Sequence, residues 1–162
     1  MEQNAVMIRH RPAAAMVLLA SGAALLCGGT CRAALGGDAA SVAADQSALR
    51  GELSSTETPR YGIREISTAA GMRVREFADA GGVIFAVAWS GPAPPDLRQL
   101  LGDYYNEYAA ALLKRKPLGI HRSVLVAAQS VNVELAGHMR AYSGRAYLAA
   151  RIPAGVTIEE IR

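Results

Sequence analysis

Five residues between positions 138 and 147, His138, Arg140, Tyr142, Arg145 and Tyr147, are of the types that read anionic partners. A guanidinium offers a planar two-pronged fork to a carboxylate or phosphate, and a tyrosine adds a ring face and a hydroxyl. Between them lies Ser143-Gly144, a candidate bulge or tight bend. A bulge there places Arg140, Tyr142, Arg145 and Tyr147 on one face, with His138 at its edge. Such a face suits an anionic envelope polymer, a glycan or an envelope protein. The competing reading is a solvated sheet surface covered by long side chains.

Catalytic chemistry is the alternative. His138 with an acid such as Asp96 and a hydroxyl from Ser143 or Ser90 sketches a small periplasmic hydrolase, but no G-x-S-x-G elbow presents either serine. His138-Met139 pairs an imidazole with a thioether, ligands that suit copper. Beyond residue 33, however, the only other histidine is His121, and there is no H-x-x-x-H or Met-rich run. Glu65 and Glu76 could pair as glycosidase carboxylates. Both alternate with arginines on expected strands, so solvated cross-strand ion pairs are expected instead. Tyr104, Tyr105 and Tyr108 recur at helical spacing as core-facing rings. No metal, cofactor or catalytic residue is expected.

The elements that position these groups are organised around Gly81 to Gly102. Val83, Phe85, Val87 and Trp89 alternate with Ile84, Ala86, Ala88 and Ser90, so a central strand covered on both faces is expected, with Trp89 buried. Gly91-Pro92-Ala93-Pro94-Pro95 ends the strand, and Asp96 caps a helix running to Lys116, with Leu97, Leu100, Leu101, Tyr104 and Tyr108 on one stripe. Asp38 caps a short helix, Ala39 to Leu49, and Ser54 to Pro59 reads as a polar linker. Tyr61–Thr68 and Met72–Ala78 read as strands, as do Ser123–Ala127, Val131–Leu135 and the segment from His138. Thr157 and Glu160 form a capping box for a last helical turn. The expected fold is α+β: an antiparallel sheet of about five or six strands packed on one long helix, with a short N-terminal helix.

The first 33 residues have the pattern of a secretory signal. Arg9 and Arg11 precede an apolar core, Ala13 to Leu26, and Cys31-Arg32-Ala33 places small residues for cleavage before Ala34. An uncleaved membrane anchor is the alternative, opposed by Gly22, Gly28 and Gly29. The remaining residues, 34–162, form one domain by length. Cleavage removes Arg9, Arg11, Arg32 and Glu2 from 17 basic and 14 acidic residues, leaving 14 and 13. That near balance gives no case for nucleic-acid binding. Both cysteines, Cys27 and Cys31, leave with the signal, so no disulfide is expected.

Several phrases together carry a resemblance: Val74-Arg75-Glu76-Phe77, GVIFAVAWSGP from Gly82, PDLRQLLG from Pro95, and GHMRAYSGRAY from Gly137. With Ala34-Leu35-Gly36-Gly37 after the signal, the chain resembles the bacterial secreted family catalogued as domain of unknown function 2844. The resemblance implies an exported single-domain protein of Gram-negative bacteria, periplasmic or secreted, and carries no catalytic residue. The expected role is a non-enzymatic binding or envelope-assembly accessory.

Overall fold

The structure is a computed structural model that describes residues 35–115 and 123–162. The expected signal segment, the helix end at Lys116, and His121 lie outside the described residues. Among the described residues seven strands form one sheet: β1 (Glu52–Glu57), β2 (Gly62–Ser67), β3 (Arg73–Ala78), β4 (Ile84–Gly91), β5 (Ser123–Ala127), β6 (Asn132–His138) and β7 (Ala141–Tyr147). Their order is β1-β2-β3-β4-β7-β6-β5, with every pairing antiparallel. The general α+β expectation fits, but five or six strands is an undercount.

The expected linker accounts for one of the differences. Glu52–Glu57 pairs residue for residue with β2, although all six of its side chains are exposed. An edge strand with neither face buried has no hydrophobic alternation to betray it; backbone hydrogen bonding places it in the sheet, with an ion pair from Arg64 to Glu57 at 2.7 Å added at its end. Its polar composition also discourages further strands from adding to that edge.

β4 lies at the centre, as its apolar alternation predicts, and residues 84–89 are all buried. One correction concerns Phe85. The β3–β4 register shifts at Phe77/Ala78, so Ala78 pairs with Ile84 and Phe77 with Ala86. Phe85 is the extra residue of this bulge. Its ring therefore packs with Phe77 and Ala86 on the face opposite Val87 and Trp89.

The first face is covered by helices. α1 (Ala39–Leu49) is capped by Asp38, whose side chain accepts from the Ala40 and Ser41 amides. The helical run expected from Asp96 is split into α2 (Leu97–Leu101) and α3 (Tyr105–Lys114) by a 3-10 turn, Gly102–Tyr104, with Gly102 at φ 49°. Asp96 caps it by accepting from the Arg98 amide at 2.8 Å. Leu100, Leu101 and Tyr108 pack on Val74, Val87, Trp89, Val133 and Ala146 in the larger core.

The second face is half covered. A C-terminal strap, residues 152–162, lays Ile152, Val156, Ile158 and Ile161 over Ile63, Phe77, Phe85 and Tyr147. Within it, the expected capping box of Thr157 and Glu160 forms around a 3-10 turn. The uncovered half of this face holds the candidate site.

Candidate functional site

Period-2 alternation sends residues at odd positions of β2, β3 and β7, and even positions of β4 and β6, to the half-open face. The registers then stack them in rows. One row reads Glu134, Arg145, Ala88, Arg75, Glu65 across five strands. The next reads Ala136, Ser143, Ser90, Arg73. The small side chains in the middle leave a groove of about 290 Å³, with Arg73, Arg75 and Arg145 at its sides and Ile161 and Arg162 of the strap at one end.

Each arginine is held by an acid in its own part of the sheet. Arg145 Nη2 lies 2.7 Å from Glu134 Oε2. Glu65 takes both Arg75 Nε at 2.6 Å and Arg73 Nε at 3.2 Å. Burial pushes the Glu65 carboxyl up, but the hydrogen bond from Arg75 and the charges of Arg75 and Arg73 outweigh it and hold the group below the ordinary range. Three cations thus face two carboxylates. Arg145 also donates Nη1 to the Ile158 carbonyl at 2.6 Å, and Arg75 donates Nη1 to the Arg162 main-chain oxygen at 2.5 Å. The same guanidiniums therefore border the groove and tie down the strap.

The residues expected to form one basic–aromatic face are divided by the sheet. No bulge forms at Ser143-Gly144: β7 pairs without a shift with both β4 and β6. Tyr142 and Arg145, three apart, consequently sit on opposite parities. Tyr147 shares the parity of Arg145 but lies under the strap, 6% exposed, with its hydroxyl 3.5 Å from Glu134 Oε1. Burial raises its pKa. Arg140 and Tyr142 border an open depression of about 630 Å³ at the end of the sheet, with Gly71 and Pro92. Ser90 and Ser143 line both this depression and the groove, which join the two into one trough. Arg140, Tyr142 and Arg145 are brought together in this way, around an end and not across a face. His138 is exposed opposite Ala141 in the β6–β7 hairpin, and its Nδ1 lies 3.1 Å from the Met139 carbonyl. Asp96 is engaged as a helix cap, not with His138. Arg73 and Arg75 were legible only as outward partners of Val74, because sequence alone does not say which outward face stays uncovered.

Arg140 occupies the left-handed region, φ 65°, in the two-residue turn Met139-Arg140. A side chain there costs about 1 kcal/mol that glycine avoids. Arg140→Gly should therefore raise the denaturation midpoint while weakening retention on an anionic resin. A lower midpoint in urea unfolding would show that the guanidinium stabilises the fold.

A second cluster lies beneath the helices. Glu76 of β3 is fully buried, contrary to its expected solvation, and Asp45 of α1 is 1% exposed. Asp45 Oδ1 accepts from Gln99 Nε2 of α2 at 2.7 Å. Glu76 has no hydrogen-bond partner among the described residues other than the Asp45 carboxyl. Burial first, and then Asp45, push the Glu76 pKa up to about 8. Two carboxyls buried side by side favour a form in which one of them keeps its proton. Elsewhere among the described residues no three His, Cys, Asp or Glu side chains gather as metal ligands.

The architecture is thus an antiparallel α+β sheet with helices on one face and a strapped, arginine-bordered groove on the other. Residues 31–161 match the family model described as "Protein of unknown function (DUF2844)", and the chain belongs to that family. No curated protein and no solved structure matches it.

Proposed function

We propose that this chain is an exported, non-enzymatic binding or envelope-assembly accessory protein, and that its trough takes an anionic ligand. The observation that carries this reading is the patch of small side chains, Ala88 between Arg75 and Arg145 and then Ser90 and Ser143, that runs on to Arg140. Charge-assisted hydrogen bonds from arginine forks give such a surface both affinity and orientation. The sequence pattern of residues 1–33 supports export with cleavage before Ala34, and the proposed ligand is accordingly one of the envelope or the exterior.

The test joins the two parts. Protein recovered from the periplasm should have the intact mass of residues 34–162 and bind washed envelope saturably. Arg73→Gln/Arg140→Gln should lose that binding and stay folded by circular dichroism. A full-length species fixed in the inner membrane would reject the exported reading. Undiminished binding by the variant would reject the trough.

A further inference from the structure

Resting on that reading of the trough as a binding site, we infer that its ligand is an extended acidic segment of another polypeptide. The strap shows how the groove's arginines treat a main chain. Arg145 Nη1 donates to the carbonyls of Ile158, at 2.6 Å, and Ile161, at 3.4 Å, and Arg75 donates to the main-chain oxygen of Arg162. One border of the groove, Arg145, is thus already a donor to peptide carbonyls and the other, Arg75, a donor to a main-chain oxygen, each fixed in position by Glu134 or Glu65.

The floor has the shape for a second main chain. Ala88, Ser90, Ala136 and Ser143 present nothing longer than a hydroxymethyl group, so an extended backbone can lie close to the sheet. Charge selects an acidic one. Around the groove the guanidiniums of Arg73, Arg75, Arg145 and Arg162 outnumber the carboxylates of Glu65 and Glu134, and Arg140 adds another cation where the trough turns over the sheet end. Arg73 is half exposed, has its Nε on Glu65, and lines the groove.

A sugar polymer fits less well. Sugar rings gain from aromatic platforms, and the open-face rings Phe77, Phe85 and Tyr147 lie under the strap, each at most 6% exposed. The Trp89 ring belongs to the opposite core. Trp89 also lines the groove, and Tyr142 lies at the sheet end, so among the described residues the trough has two aromatic residues outside that covered cluster, of which the Trp89 ring is committed to the core.

Fluorescent poly-L-glutamate and the polyuronate alginate, titrated at matched charge and ionic strength into the exported protein, separate the possibilities. Poly-L-glutamate should bind tighter, and Arg73→Gln/Arg140→Gln should weaken it at least about tenfold, from loss of charge-assisted hydrogen bonds. Arg50→Gln, which removes a cation at the end of α1, should leave it within about twofold, the effect of an isolated surface charge. Tighter alginate binding that is lost in the same double variant would overturn the polypeptide assignment and keep the trough. Equal losses in the Arg50 and double variants would mean unspecific charge attraction and overturn both, as would binding of neither polymer.

Discussion

Glu76→Gln should be more stable than wild type at about pH 9, by about 1–3 kcal/mol, the scale of an uncompensated buried group. It should also remove most of the pH dependence of unfolding. The cause is the proton that Glu76 keeps beside Asp45. Glu76 ordinarily titrates near 4.5 and in the folded chain near 8. Between these values the folded state keeps a proton that the unfolded chain releases. The stabilisation is therefore complete below about pH 4.5 and is lost as pH rises through about 8, at most about 1.4 kcal/mol per unit. Glutamine keeps the shape, cannot ionise, and donates its amide to Asp45. Urea unfolding at about pH 5 and about pH 9 measures both effects. A wild-type midpoint that does not fall between them would remove the retained proton from the account. α1 should fray first at high pH, because only Ser41, Val42 and Asp45 of its eleven residues are buried.

Trp89→Ala should cost about 3–5 kcal/mol, the range for truncating a buried large aromatic. The ring is 4% exposed, and position 144 is shaped around it. Gly144 is the cross-strand partner of Trp89, and a Cβ there would collide with Trp89 Cζ2 and lie 2.6 Å from the Glu134 main-chain oxygen. Gly144→Ala alone should thus destabilise by overpacking. In the double variant the collision with the indole is gone and only that with the Glu134 main-chain oxygen remains, so the combined loss should be smaller than the sum while Gly144→Ala keeps part of its cost. Chemical denaturation of the four proteins closes the cycle. Strict additivity would mean that the two residues do not share the space.

Much of the scaffold was written in local chemistry. Asp38, Asp96 and the Thr157/Glu160 box each announced a helix start through a carboxylate or hydroxyl set to accept from free amides. The central strand was legible because it is apolar on both faces. What escaped was whatever depends on a distant neighbour. β1 has no buried side chain to reveal it. Glu76 alternates with Arg75 as a solvated residue would, yet its face is roofed by α1, a helix whose alanines gave only a weak sign of where it docks. The division of Tyr142 from Arg145 follows from a straight β7, and the assumed bulge hid it. Arg73 and Arg75 acquired a role only when the strap left their half of the sheet open.

The strand order also bears on how the chain is assembled. β1 to β4 form one meander of sequence neighbours and β5 to β7 another, and the two meet along a single seam where Ala86 pairs with Tyr147 and Trp89 with Gly144. Closing a distant pairing costs chain entropy that adjacent hairpins avoid, so the seam forms late. Until it does, β4 stands at a bare sheet edge. It is uncharged and apolar on both faces from Ile84 to Trp89, the profile of a segment that pairs with its like in other chains. During synthesis that edge emerges well before β7 exists to cover it. The same strand that anchors the finished sheet is therefore the place where a growing or half-folded chain is most exposed to aggregation, and where a holding chaperone would act.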